Sequence, residues 1–325
     1  MKHMENNKTS LLNFRAHIRS FALLALVAFL LTGITGITGC KKTDETVAAP
    51  ETGELNDDTL RVISYNILEG MKNDRAKNYD NFVAWVKSYD PDILLLQEAN
   101  GFTQESLQGL AARFDHPYVL TNLKATDNYP VAITSRFPLE SRRRVTLNVS
   151  HGAIFAKLSN RNLNLVVTHL WPQNYWHQQG DGLGNDYRLQ EINTVLDSTI
   201  RKFPQESNWI LAGDFNAVAA KDYEAGNTAN SYVVTDAIES AGFTDAIHFL
   251  HGYKQKGTSP NSVNNSFTYP FTYPGRRIDF VYATPAVLQG TFAAQPIYDD
   301  FTRQYSDHPP MIMDIDTRNI AKFKY

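Results

Sequence analysis

The chain of 325 residues carries 31 Lys/Arg against 34 Asp/Glu, and from residue 40 onward the balance is 27 against 33, a net of −6. That surface argues against tight non-specific binding of nucleic acid through many cationic phosphate contacts, although one local cleft can be positive on an acidic protein. A single cysteine, Cys40, excludes an intramolecular disulfide, and no repeat, heptad or long low-complexity break divides the chain from Thr59 onward, which is long enough to bury a substantial core as one large domain or two smaller ones.

The N-terminal segment reads differently from the rest. Lys2, Lys8, Arg15 and Arg19 precede an apolar run at 21–31. The run is too short to cross a hydrocarbon core, which needs roughly 20 residues. A basic start before a short apolar stretch is instead the pattern of a secretory signal. The stretch ends Ile37-Thr38-Gly39-Cys40, which resembles the lipobox of bacterial lipoproteins. The resemblance implies a signal peptide at 1–39 and lipidation of Cys40 as the mature N-terminus. Two or more acyl chains would give stable anchorage, since one alone binds only marginally. An ordinary signal peptide with a cysteine near its cleavage site is the alternative. Residues 40–58 are rich in Thr, Pro, Gly and acids with little to bury, and are expected to be a flexible tether. The start Cys-Lys-Lys-Thr-Asp-Glu is similar to charged leaders that carry some Bacteroidetes lipoproteins to the outer surface. The expected location is therefore the cell envelope, lipid-anchored at the outer membrane or cell surface, with periplasmic retention as the rival.

Beyond the tether, 60–67 (LRVISYNI) and 92–97 (DILLLQ) predict buried strands, and Phe82, Trp85, Val86 and Tyr89 between them recur at helical spacing before Pro91. Further strands are expected at 130–134, 145–149, 153–158 and 163–168. A helix is predicted over 187–203, where Leu189, Ile192, Leu196 and Ile200 line one side. A strand follows at 208–213 and a helix at 232–240, ended by Gly242; 251–266 reads as a polar loop, and the last strands are 277–282 and 311–315. Strands interspersed with helices point to two sheets covered by helices rather than a helical bundle.

Isolated polar residues cap these apolar strands. Asn66 ends VISYN, Glu98 ends ILLLQE, His169 ends LVVTH, Asp214 and Asn216 follow ILAG, Asp279 lies in RRIDFVY, and Asp307-His308 precede PPMIMDI. Strand ends bring such groups together on a rigid frame. Each also has a blander reading: a turn cap at Asn66, an ion pair at Glu98, an edge histidine at His169, or an Asx-turn at Asp214-Phe215-Asn216. Shared idleness across all these positions is a weaker explanation than shared chemistry.

The segments SYNIL, LLLQE, THLW, LAGDFN, RRIDFVY and SDHPP stand in the order seen in the endonuclease/exonuclease/phosphatase superfamily, which the chain resembles over residues 60–316. Its members include deoxyribonuclease I, abasic-site endonucleases, inositol-polyphosphate phosphatases and bacterial sphingomyelinases. The resemblance implies an α+β fold of the deoxyribonuclease I type, a four-layer αββα sandwich of two mostly antiparallel sheets, over residues 59–325. It implies a divalent-metal-dependent hydrolase of phosphate esters. Glu98 would be the central carboxylate ligand, with Asn66 and Asp307 also at the metal. Hard oxygen ligands suit Mg²⁺, with Mn²⁺ or Ca²⁺ as alternatives. His308 would be the general base, because imidazole titrates near operating pH, and Asp279 would fix its tautomer. Asp214 and Asn216 would position the water or phosphate; if the backbone stayed extended, their side chains would share one face. His169 would stabilise phosphoryl oxygens or protonate the leaving group. Zinc is disfavoured, because His248 and His251 have no cysteine pair or compact third ligand.

Loops must choose the substrate. Trp171, Tyr175 and Trp176 follow His169 and could stack on a base, sugar or lipid headgroup, or pack the loop. Arg276, after the near-duplicate FTYP repeats, is a candidate for an anionic group; Arg142-Arg143-Arg144 reads equally as a solvated strand edge. After Glu98 the chain continues Ala99-Asn100, where many nuclease-like members place Arg, and the fuller Arg-bearing signatures of inositol 5-phosphatases are lacking. The expected activity is an extracytoplasmic phosphodiesterase or endonuclease-like hydrolase, with DNA the leading specific substrate. A phosphomonoesterase, a phospholipid or inositol-phosphate hydrolase, and a catalytically inactive surface binding protein are the alternatives. Nothing in the sequence names a protein partner.

Overall fold

A computed structural model describes residues 58–123, 129–158, 161–173, 184–223, 231–252, 272–273 and 276–320. All belong to one compact unit, 46–325. The predicted signal peptide, Cys40 and the tether up to residue 57 lie outside the described residues. Among the described residues no helix is long and apolar enough to cross a membrane.

Among the described residues, twelve strands form two six-stranded sheets. The first takes its strands from both ends of the chain: β1 (Thr59–Asn66), β2 (Ile93–Gln97), β3 (Tyr118–Thr121), β4 (Ala132–Ser135), and then β11 (Thr291–Pro296) and β12 (Met311–Asp316), which occupy one edge in the order β11-β12-β1-β2-β4-β3. The second is built from the middle: β5 (Leu139–Val145), β6 (Gly152–Leu158), β7 (Leu163–His169), β8 (Trp209–Asp214), β9 (Thr244–Asp245) and β10 (Asp279–Ala283), ordered β5-β6-β7-β8-β10-β9. Each sheet has one parallel pairing at its centre, β1/β2 and β7/β8, with antiparallel pairings on either side. The two sheets thus repeat one pairing pattern, a pseudosymmetry that the residue pattern did not reveal.

The strands are Val-, Ile- and Leu-rich because both faces are covered. Alternate residues enter different layers: Leu60 and Val62 join Ile93, Leu165, Val167, Ile210 and Val281 between the sheets. Ile63 and Tyr65 point the other way, against Phe82, Trp85, Val86 and Tyr89 of the helix Asp80–Tyr89. On the far side Phe155, Val166, Trp209 and Leu211 pack against Ile192, Val195 and Leu196 of the helix Asn185–Ser198. Each such side chain contributes roughly 1.5–3 kcal/mol by leaving water. The result is the expected helix–sheet–sheet–helix sandwich.

Several boundaries differ from expectation. The strand predicted at 145–149 is instead β5, which ends at Val145; it is an edge strand whose arginines face solvent or neighbouring loops, so its short apolar tail was the wrong cue. The helix predicted to reach 203 stops at Ser198, where Thr199 adopts φ −127°, ψ −106°. The strand predicted at 277–282 begins at Asp279 rather than Arg277, because Arg277 turns into a fully buried ion cluster with Asp222 and Asp245. The helix Gln104–Ala112, set by a Thr103/Ser106 capping box, was not anticipated, nor were β3 and β11.

Candidate active site

The parallel pairs explain where the polar residues gather. The carboxyl ends of β1, β2, β7 and β8 and the amino ends of β10 and β12 meet at one end of the sandwich. Along β1 the inward row runs Leu60, Val62, Ser64 and Asn66; along β7 it runs Leu163, Leu165, Val167 and His169; along β8 it runs Ile210, Ala212 and Asp214. Asp279 begins the inward row of β10 that continues through Val281 and Ala283. Apolar rows between the sheets therefore end in polar side chains, and the site is the open end of the core. Register pairs His169 with Asp214 and Asp214 with Asp279. Gly213 permits this closeness: a Cβ there would lie 1.9 Å from the Thr168 carbonyl oxygen of β7.

Asp214 is the hub. Its Oδ2 accepts a hydrogen bond from Asn66 Nδ2 at 3.1 Å and lies 3.7 Å from His169 Nε2 and 3.8 Å from His308 Nδ1. Burial first, then repulsion from Asp279, raises its pKa, against the opposing His308 charge. His308 Nδ1 donates to Asp279 Oδ2 at 2.8 Å, which leaves Nε2 as the nitrogen that can take a proton. Burial alone would lower His308, but the carboxylates of Asp279 and Asp214 outweigh it and hold the ring's pKa well above its ordinary value. His169 goes the other way: burial, then the neighbouring His151 and His308, push its pKa well down and favour the neutral imidazole.

Hydrogen bonds set these side chains in place. Ser306 Oγ donates to the Asn66 carbonyl and accepts from the His308 N–H, tying the SDHP loop to the end of β1. Thr272 Oγ1 accepts the N–H groups of Ile278 and Asp279. Glu98 receives Asn66 Nδ2 on Oε1 at 3.1 Å and the Glu69 N–H on Oε2 at 2.8 Å. That second bond comes from a left-handed turn in which Leu68, Glu69, Gly70 and Met71 have φ of +42°, +49°, +70° and +55°. Left-handed backbone costs an L-residue roughly 1–2 kcal/mol. Glu98 itself (φ +56°) and Asn216 (φ +48°) share that strain.

Each expected site residue has a definite place. Asn66, Glu98, His169, Asp214, Asp279 and His308 converge. Asn216 is beside them, but its positive φ breaks the extended geometry expected through Asp214-Phe215-Asn216: Asp214 Oδ1 accepts the Asn216 N–H in an Asx-turn, and Asn216 Nδ2 donates to the Leu170 carbonyl. Phe215 is packed in the outer core as expected. Asp307 is exposed beside His308, and its charge acts on both His308 and Lys72. Arg276 is exposed, with its guanidinium 5.4 Å from the Tyr273 ring centroid; Tyr273 in turn lies 5.2 Å from His308. Trp171 is half-buried against Tyr187, while Tyr175 and Trp176 lie outside the described residues.

Asp214, Asp279 and His308 offer ligand-capable atoms within 4.8 Å of one another, the one such group among the described residues. His308 Nδ1 is already taken up by Asp279, so a divalent cation fits beside this group rather than on the ring, where its charge would relieve the repulsion between Asp279 and Asp214 that helps raise the Asp214 pKa. Oxygen donors predominate at this end of the sandwich, in keeping with a hard cation.

The sequence profile of the Endonuclease/Exonuclease/phosphatase family matches residues 63–308, the stretch that holds every one of these site residues. The chain belongs to this family. Solved structures with the same fold include an AP endonuclease from Archaeoglobus fulgidus (18% identity, TM-score 0.56, 79% of this chain and 99% of that one). An endonuclease/exonuclease/phosphatase from Beutenbergia cavernae (19%, 0.57, 80% and 72%) and the human Nocturnin catalytic domain with a bound sulfate anion (18%, 0.56, 79% and 94%) are similar too. No curated protein matches. Family membership gives the chain a phosphoesterase- and nuclease-like catalytic fold with a candidate metal-binding group. Two residues near this family site escaped the sequence reading. His151 stacks on His169, and Glu191 is fully buried where the loops carrying both rings meet. His151 was hidden because only strand register brings it beside β7. Glu191 left a signal, an acidic residue one position from Ile192 in the apolar stripe of its helix.

Proposed function

We propose that the protein is a divalent-cation-dependent phosphodiesterase with endonuclease-like chemistry, exported and held at the cell envelope by acyl chains on Cys40. The observation that carries this reading is the His308–Asp279 hydrogen bond beside the buried Asp214. It points His308 Nε2 toward an incoming water as the base once the proton favoured by Asp279 and Asp214 has left it, while Asp279 orients the ring and stabilises its charged form. Asp214 and Asn66 orient the water and the phosphate. His169, neutral and buried, donates a hydrogen bond to a phosphoryl oxygen where charge develops. Glu98 with Asn66 is the seat for the cation and Asp307 completes it from the exposed side, because His308 Nδ1 is already engaged by Asp279. When bound, Mg²⁺ or a similar ion polarises the phosphoryl oxygen and neutralises developing charge. Arg276, at the exposed end of the ladder through Tyr273 to His308, meets a second anionic group, and Trp171 forms the rim.

DNA is the leading substrate. The test is a panel of DNA, RNA, bis-p-nitrophenyl phosphate, inositol phosphates and phospholipid vesicles, each with Mg²⁺, Mn²⁺ or Ca²⁺, followed by product analysis. Cleavage of internal diesters that stops on chelation is the expected result. Release of inorganic phosphate alone would make it a phosphomonoesterase, and no turnover across the panel would leave a binding protein.

A second reading, phospholipid hydrolysis, is favoured by Leu123 and Leu147, 49% and 78% exposed. Leu123 follows Asn122, whose side chain holds the His151 carbonyl, and Leu147 lies in the connection from β5 to β6 that ends at His151. Faster turnover of vesicles than of DNA, lost in a Leu123→Ser/Leu147→Ser variant, would select it.

A further inference from the structure

We propose that His151 is a positioning residue for His169 and that Glu191 holds the two rings in register; this rests on the reading of His169 as the donor to the phosphoryl group. His169 ends β7 and pairs with Gly152 at the start of β6, so His151 precedes the residue directly opposite it. The two imidazoles stack, with centroids 4.4 Å apart and planes 29° apart. Tyr129 also contacts His151, in a T-shaped arrangement with centroids 5.3 Å and planes 64° apart. His151 thus has ring contacts with both Tyr129 and the site histidine, and both imidazoles are at least nine-tenths buried.

Strand register alone does not fix the rings, because each sits where its strand gives way to a loop. One carboxylate joins those loops. Glu191 Oε1 accepts both the N–H and the hydroxyl of Ser150, each at 2.5 Å, and Oε2 accepts the Trp171 N–H at 2.8 Å. Ser150 precedes His151, and Trp171 follows His169 by two residues. From the preceding turn of the same helix, Arg188 Nη1 donates to the carbonyls of Trp171 and Gln173 at 2.9 and 3.1 Å. The helix therefore takes N–H groups with its acid and serves carbonyls with its base, and it grips both loops from outside. Glu191 is fully buried and has no part in the proposed chemistry. A buried carboxylate is tolerated only when its lone pairs are satisfied, and here the partners are those two loops. His169 Nδ1 has no hydrogen-bond partner among the described residues, so packing, rather than a polar contact on that nitrogen, keeps the ring aimed with Nε2 toward Asp214.

The test is a double-mutant cycle on the full chain with bis-p-nitrophenyl phosphate and Mg²⁺. His151→Ala should lower kcat roughly tenfold with KM little changed, less than the about 100-fold that a misplacement of about 1 Å can cost. His151→Phe, which keeps a stacked ring, should restore most of that loss. Adding His151→Ala to His169→Ala should cause no further loss. A multiplicative loss in the double variant, or a His151→Phe enzyme as impaired as His151→Ala, overturns the proposal. A second measurement works without turnover: the ring ¹⁵N resonances of His169 in the histidine-labelled, cation-free chain should move in Glu191→Ala. Unmoved resonances overturn the positioning role. Moved resonances in a chain that cleaves none of the panel would sink the hydrolase reading and leave the positioning intact.

Discussion

His308 and Asp279 meet across the seam of the sandwich, Nδ1 to Oδ2 at 2.8 Å, although one residue leads into β12 of the first sheet and the other opens β10 of the second. The contact exists only when both sheets are assembled. It settles the ring's tautomer, since a carboxylate can only accept, and so decides which nitrogen is available for chemistry.

Loss of that nitrogen should cost most. His308→Ala is expected to lower kcat by roughly 10²–10⁴, the range of a positioned acid or base, with far-UV circular dichroism unchanged. Asp279→Asn should cost a comparable amount by presenting the wrong tautomer. A His308→Ala enzyme within a few-fold of the parent would remove the base from this position.

Cation binding should appear as stability. At about 100 times its Kd an ion that binds only the folded chain adds about 2.7 kcal/mol. Melting with Mg²⁺ against chelator should show a rise that Glu98→Ala lacks. The same ion should change His308. Without it, Asp279 and Asp214 hold the ring raised to about 10, so its proton stabilises the fold fully below the unfolded value of about 6.5 and that gain disappears as pH climbs through the folded one. A cation beside Asp214 opposes the imidazolium, so the NMR titration midpoint of His308 should fall when Mg²⁺ is added. A midpoint indifferent to Mg²⁺ would place the ion elsewhere.

Acid should destabilise the protein partly through a histidine outside the site. His116 Nε2 donates to the Pro91 carbonyl at 2.7 Å, and Nδ1 lies 2.8 Å from the Thr134 hydroxyl, which donates to it when the ring is neutral. Burial lowers its pKa to about 4. A lowered value means the unfolded chain takes the proton first, so this stability is present above about 6.5 and is lost as pH falls through about 4, roughly 3 kcal/mol in all. Urea unfolding of His116→Gln at pH 7 and pH 4.5 should show a smaller difference than the parent.

The start of β10 depends on a buried ion cluster. Arg277 reaches Asp222 at 2.8 Å and Asp245 at 2.5 Å, all three essentially without exposure, and its guanidinium stands 4.2 Å over Phe280. Arg277→Met leaves two buried carboxylates facing each other and should cost about 3–5 kcal/mol in chemical denaturation. Arg276→Met, at the exposed neighbour, should leave stability unchanged and raise KM. Equal destabilisation by both would contradict the division of labour within this arginine pair.

The sequence made Asn66, His169 and Asp214 legible because each ends an alternating row whose earlier members are plainly core. Arg276 is exposed, whereas the burial of Arg277 depends on Asp222 and Asp245, distant in the chain. At Asp214-Phe215-Asn216 the Asx-turn, the blander of the two readings the residues offer, is the one that forms, because Asp214 folds the turn back through its own carboxylate. His151 was out of reach, since its neighbour is chosen by the β6/β7 register. β5 was missed because an edge strand need not be apolar.

The sheet topology also sets an order of events during folding. Arg61 and Asp314, bonded at 2.7 Å across β1 and β12, are 253 residues apart in sequence. The first sheet cannot close until nearly the whole chain has been synthesised, and such long-range pairing is intrinsically slow to form. The strand that ends in Asn66 is thus among the first made and among the last to gain both of its neighbours.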